Sequence, residues 1–191
     1  MGNLGTQGFT KMIALCAGHY PRSPGACWEG RCEHQEAAEW IAQIALHLGP
    51  KRCVVVPTGR LQDKVKAING QGYVIAVDLH FNSDPNHAGK GCETLYCPGS
   101  KHGRRAAEIV HAHMAKLIQP DRGVKPGWYR MDPMQGPDYF LKYTDCVSLI
   151  LEPEFIHNSE KIDAVRKDAC EAIADGLLEY HELYFGRSFD G

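Results

Sequence analysis

The sequence predicts a single α/β domain, a mainly parallel twisted sheet of about five or six strands with helices on both faces. Three observations carry that expectation. Short apolar runs alternate with stretches of helical periodicity along the 191 residues, the pattern of a sheet wound by crossover helices. The run from Val74 to Leu79 reads as a strand buried on both faces. It stops abruptly at His80, Asn82 and Ser83, with a turn-rich segment from Asp84 to Gly91 behind it. Open α/β sheets gather their chemistry at such carboxyl ends of strands.

Each element follows from its own pattern. Residues 1–11, Gly-rich and polar, are expected to be a flexible leader, 12–185 the folded domain and 186–191 a tail. Met12 to Cys16 is a short apolar strand ending at Ala17-Gly18-His19, and Pro21, Pro24 and Gly25 mark the loop to Arg31 as irregular. Ala37, Trp40, Ile41, Ile44, Ala45 and Leu48 then recur at helical spacing until Gly49-Pro50. Glu33 and Glu36 lie in the first turn of that helix, on either side of His34. Cys53 to Val56 is the next strand, and Leu61, Val65 and Ile68 outline a weaker helix.

Beyond the central strand, Gly91 to Cys97 alternates loosely and is closed by Pro98-Gly99, as in a strand nearer an edge. Ala106, Ile109, Val110, His113 and Leu117 share one helix face. Asp121 to Asp138, punctuated by glycines and prolines, is expected to be one long irregular loop, a length usually functional or mobile. Tyr139 to Tyr143 fits one helical turn. Val147 to Leu151 is the last strand and runs into Glu152-Pro153-Glu154. A long helix follows, capped by Asn158 or Ser159, with the stripe Ile162, Val165, Ala169, Ile173, Leu177, Tyr180 and Tyr184.

Composition excludes several classes of function. The chain is 43% hydrophobic and 23% charged with net charge −2, and no basic block marks a nucleic-acid surface. That balance gives no strong attraction to anionic membranes, no run approaches transmembrane length, and a monomer is expected. Of the eight cysteines, Cys16, Cys53, Cys92, Cys97, Cys146 and Cys170 sit inside or beside apolar runs, where a free thiol behaves as a small hydrophobe. There is no Cys-x-x-Cys. Cys27 and Cys32 flank a loop and could pair, but no signal peptide is recognisable. Synthesis in a reducing cytosol is therefore expected, and it argues against that bridge.

Three strand ends and one helix start supply His19, Glu33, His80 and Glu152. Singly, each has a plain explanation: a turn histidine, an acid favoured by a helix dipole, a strand-capping histidine, a surface acid. Together they meet the needs of a catalytic zinc site, with two His and one carboxylate as ligands and a second carboxylate for proton transfer. Manganese and iron are lesser options for such a mixed set. His34 reads as an exposed helix-start residue, a ligand-supporting or substrate contact being the alternative. Asn82 either orients a ligand, holds substrate or forms a turn. Trp128 and Tyr129, on the long loop, are candidates for a groove wall that packs on substrate, or else a plug holding the loop down.

At these residues the chain resembles a known family, the zinc-dependent N-acetylmuramoyl-L-alanine amidases of the type-3 class, which includes bacterial autolysins and phage endolysins. Gly18-His19 resembles the family's Gly-His after its first strand, and a Glu opening the first helix fits Glu33 by the apolar spacing behind it. Glu36, three residues on, is the alternative ligand. Asp78-Leu79-His80-Phe81-Asn82 is similar to the family's Ser-x-His-x-Asn. Gly91-Cys92-Glu93-Thr94-Leu95-Tyr96 resembles its Gly-x-Glu-x-x-Tyr strand, and Glu152 to Asn158 its Glu-x-Gly-Phe-x-x-Asn. The motifs come in family order from about Met12 to the last helix. Asp78 replaces the usual Ser, Glu154 replaces a Gly, and Tyr20-Pro21 replaces glycines after the first His.

The resemblance implies that His19, Glu33 and His80 bind one zinc ion and that Glu152 is the catalytic acid/base. The implied reaction is cleavage of the amide between N-acetylmuramic acid and L-alanine of bacterial peptidoglycan. A phage or prophage endolysin, made in the host cytoplasm and acting after membrane breach, is the expected role, with an exported host amidase behind it. Two other classes remain: a zinc peptidase or deacetylase on another substrate, and a non-catalytic wall-binding protein on the same fold.

Overall fold

In the computed structural model, which describes residues 12–186, strand β1 (Ile13–Ala17) leads through a hairpin of β2 (Cys27–Trp28) and β3 (Arg31–Cys32) into α1 (Glu33–Leu48). There follow β4 (Cys53–Val55), α2 (Leu61–Ile68), β5 (Ile75–Leu79), β6 (Cys92–Tyr96) and α3 (Lys101–Met114). The chain ends with β7 (Asp121–Pro126), α4 (Tyr139–Tyr143), β8 (Val147–Glu152) and α5 (Ser159–Phe185). The expected leader, and the tail beyond Gly186, lie outside the described residues.

Six strands form one sheet in the order β4-β1-β5-β8-β6-β7. β4, β1, β5 and β8 are parallel, β6 is antiparallel to β8, and β7 is parallel to β6. Alternate strand residues serve opposite faces. Ile13, Leu15, Ile75, Val77, Leu149 and Leu151 join Trp40, Ile44, Val110, Ile173 and Leu177 in the core under α1, α3 and α5. Ala14, Cys16, Ala76, Leu95 and Ile150 meet Val65, Ile68, Phe140 and Leu141 in the thinner layer under α2 and α4.

That alternation decides which face carries the polar groups. Asp78 lies two residues from Ala76, Glu93 two from Leu95 and Glu152 two from Ile150, so all three project toward the α2/α4 side. Register sets Ala17 beside Leu79 and Leu79 beside Leu151, so the carboxyl ends of three neighbouring strands finish level. β6 runs the other way and brings its beginning to the same place, with Glu93 paired to Glu152.

Three expectations are corrected. The Asp121–Asp138 segment opens with edge strand β7, which shows no apolar alternation because none of its residues is buried. Helix α3 ends at Met114, leaving Leu117 exposed. Cys27 and Cys32 form a disulfide, because the β2/β3 pairing sets them opposite each other with Cα atoms 4.1 Å apart. The other six cysteines are free, and Cys16, Cys53, Cys92 and Cys170 are buried as expected of small hydrophobes.

Candidate active site

Glu33, the first residue of α1, lies between two histidines and is 5% exposed. Its Oε2 is 3.0 Å from His19 Nε2 and accepts from the Ala26 N–H at 3.2 Å. Its Oε1 is 2.8 Å from His80 Nδ1 and accepts from the Phe81 N–H at 3.3 Å. The ligand atoms of His19, Glu33 and His80 all lie within 4.8 Å of one another. Strand ends β1 and β5 deliver the histidines. His19 holds a left-handed backbone at φ 56°, a strained choice for a non-glycine residue and common where function fixes the geometry.

Two glycines make room for this approach. A Cβ on Gly18 would come within 2.7 Å of Leu79 O and 2.8 Å of the His80 ring. A Cβ on Gly25 would stand 2.4 Å from Glu33 Oε2 and 2.6 Å from the His19 ring, at a φ of +79° that also favours glycine. Gly25→Ala is therefore expected to displace Glu33 or His19 and lower metal affinity at least tenfold, the size of effect seen when ligand orientation is disturbed. Titration with a chromophoric metal competitor checks this.

Charges around the cluster are strongly coupled. Burial raises the Glu33 pKa, yet hydrogen bonds from His19 and His80 outweigh it and bring the value from 4.5 to about 2. Burial opposes charge on His80, but Asp78 and Glu33 hold its imidazolium well above the ordinary range. Glu152 behaves in the opposite sense. Burial, together with the charges of Glu33, Glu93 and Asp78 and against the pull of His80, pushes it from 4.5 to about 8. Its Oε2 is sealed from solvent with no hydrogen-bond partner. A buried polar atom left unpaired is costly, so it points to a group that would use it.

Cross-strand from Glu152, Glu93 is held by Arg122 Nη2 at 3.1 Å, Lys125 Nζ at 2.5 Å and Asn82 Nδ2 at 2.8 Å. Asn82 thus anchors Glu93. The Gly-x-Glu-x-x-Tyr pattern marked Glu93 without showing its cations, which arrive from β7.

The other candidate residues fall elsewhere. Glu36, the alternative ligand, is used by Arg31 Nη1 and Arg166 Nη2, each at 2.8 Å, and by Trp40 Nε1 at 2.9 Å. Glu36→Ala should leave metal binding intact and cost about 2 kcal/mol of stability by removing a buried acceptor of charged hydrogen bonds, since Arg31 and Arg166 both keep Asp163 as a partner; urea titration measures the loss. His34 is buried rather than exposed: its Nδ1 is 2.8 Å from Gly18 O and its Nε2 3.4 Å from Thr58 Oγ1, so it braces the turn before His19. Glu154 is fully buried, accepts from Gly91 N–H, Phe155 N–H and Asn158 Nδ2, and pairs with Lys161. It organises the last loop. Trp128 bridges Pro137 and Tyr129 lies under Arg130, on the loop between β7 and α4, whose base is closed by the Asp138 N–H donating to Gly127 O.

Two imidazoles and a carboxylate around one shared space, with the unpaired Glu152 Oε2 close by, fit the donor set of a borderline divalent cation. The backbone cradle that a Cβ would fill at Gly25 fits the same purpose.

The family model for N-acetylmuramoyl-L-alanine amidase matches residues 13–179. The chain is 27% identical over 184 residues to the N-acetylmuramoyl-L-alanine amidase LytC of Bacillus subtilis strain 168, covering 88% of this chain and 35% of LytC. It therefore spans about a third of the length of that relative. An N-acetylmuramoyl-L-alanine amidase from Clostridium difficile 630 superposes with a TM-score of 0.79 at 18% identity, covering 92% of this chain and 99% of that one. The catalytic domain of the CD27L endolysin, described as targeting Clostridia difficile, superposes at 0.70 with 20% identity, covering 88% and 97%. These likenesses show a shared fold, and the match over residues 13–179 shows that the chain belongs to the N-acetylmuramoyl-L-alanine amidase family.

Proposed function

We propose that this chain is a zinc-dependent N-acetylmuramoyl-L-alanine amidase that hydrolyses the amide between muramic acid and L-alanine in peptidoglycan. The observation that carries the reading is the convergence of His19, Glu33 and His80 beside Glu152, whose Oε2 is sealed from solvent and unpaired. The chemistry zinc supplies in such a set is Lewis acidity toward a water and the substrate carbonyl.

The remaining work falls to the chain's own groups. His19, Glu33 and His80 offer the ligand atoms, with Glu33 oriented by the Ala26 and Phe81 N–H groups. Glu152 takes the proton of the attacking water and returns it to the departing amine of L-alanine, as general base and then acid. A proton affinity near neutrality suits both halves of that task. Glu93, kept charged by Arg122 and Lys125, contributes to that affinity from the next strand.

The role we assign is a phage or prophage endolysin acting on the wall after membrane breach, and the likeness to the CD27L domain supports it. The relationship to LytC favours a second reading, a bacterial wall amidase. Purified sacculi incubated with zinc-loaded protein test the activity itself. New L-alanine amino termini without new reducing sugar ends are expected. New amino termini elsewhere in the stem, or none, would contradict the assignment.

A further inference from the structure

Asp78 stands where the resembled family has Ser, and the amidase reaction does not itself require it. Its side chain is 1% exposed on the α2/α4 face. A buried carboxylate is costly unless it is paired and hydrogen-bonded. Lys64, with its side chain 3% exposed, reaches across from α2: its Nζ is 2.9 Å from Asp78 Oδ1 and 3.0 Å from Oδ2. The same ammonium donates to Ala17 O at 2.7 Å. Ala17 is the last residue of β1 and immediately precedes Gly18-His19. Asp78 Oδ2 in turn lies 3.2 Å from His80 Nε2, while His80 Nδ1 faces Glu33 at 2.8 Å. One buried ion pair thus touches both strand ends that deliver the histidines.

We propose that Lys64 and Asp78 are positioning residues of the metal site. Asp78 accepts the Nε2–H of His80, so the ring presents Nδ1 to Glu33 and His19, and Lys64 locks Asp78 to the end of β1. The proposal rests on His80 being a metal ligand, as in the function above. A ligating imidazole must carry its hydrogen on the other nitrogen, and a carboxylate acceptor selects that tautomer, fixes the ring and raises ligand basicity. A hydroxyl at position 78 accepts the same hydrogen but carries no charge to hold a buried ammonium. Packing alone does not call for the pair, since apolar residues of similar volume often replace a buried ion pair without loss of stability.

The double variant Lys64→Met/Asp78→Leu removes both charges and leaves neither stranded. Zinc affinity is read by competition with a chromophoric chelator, and the His80 ring by nitrogen-15 NMR of the zinc-loaded protein. We expect zinc affinity to fall 10- to 100-fold, the usual effect of losing a ligand's hydrogen-bond partner, with loss of the protected Nε2–H resonance. Asp78→Asn, whose amide oxygen still accepts, should fall between wild type and the double variant. A double variant that binds zinc within about threefold of wild type overturns the proposal. So does zinc-loaded wild type in which the His80 hydrogen sits on Nδ1, a reading that needs no variant to fold. Wild type that takes up no zinc overturns the metal-site reading instead, so the two failures are distinct.

Discussion

Glu152→Gln is expected to lower kcat about a thousandfold while zinc binding stays unchanged. The estimate follows from the usual worth of a positioned general acid/base, about 100- to 10,000-fold. Glutamine keeps the shape and part of the hydrogen bonding but has no proton to take or return. Zinc binding is expected to survive because the proposed ligand set is His19, Glu33 and His80 rather than Glu152. The same substitution should stabilise the metal-free protein at neutral pH. The folded-state pKa of Glu152 is raised from 4.5 to about 8, so the folded state favours the protonated form. Stability is therefore lost as pH rises through that window, and Glu152→Gln removes the loss. A gain on the order of 2 kcal/mol at pH 7 is expected, seen as a higher urea midpoint. Full turnover in the variant would end the assignment of Glu152.

Loss of the metal gives the second large effect. Zinc removal by chelator should abolish turnover, and Glu33→Ala should do the same while weakening zinc binding more than 100-fold, since it removes one ligand of three and the anion between two histidines. Zinc at about 100 times its Kd should stabilise the fold by about 2.7 kcal/mol, roughly 5–10 °C in Tm for a domain of this size. That shift should persist in Glu152→Gln and vanish in Glu33→Ala. The acid limb has its own sign. Glu33 is depressed from 4.5 to about 2, so its stabilisation is present above 4.5 and is lost as pH falls toward 2. Calorimetry across pH, with and without zinc, separates this limb from the Glu152 limb.

Much of this site was legible in the sequence because parallel strands are self-announcing. The runs Met12 to Cys16, Val74 to Leu79 and Val147 to Leu151 are buried on both faces, so they read as apolar blocks whose polar ends stand out. Their register then brought His19, His80 and Glu152 to one end of the sheet. What stayed hidden was long-range or shallow. Lys64 looks like a solvated helix residue until the sheet places Asp78 beneath it. The cations on Glu93 come from β7, whose exposed residues carry no apolar alternation. The disulfide needed the β2/β3 pairing, which two-residue strands do not signal. Glu33 and Glu36 share a helix turn, and their phasing alone did not separate them. The arginines from β3 and α5 do, by occupying Glu36.

The most direct test is hydrolysis of one defined muropeptide in water enriched in oxygen-18, followed by mass spectrometry of both products. The expected products are a stem peptide with a free L-alanine amine and no label, and a muramic acid whose lactyl carboxylate carries one oxygen-18, formed only with metal present. Label in a carboxylate within the stem peptide, or unchanged cleavage after metal removal, would contradict it.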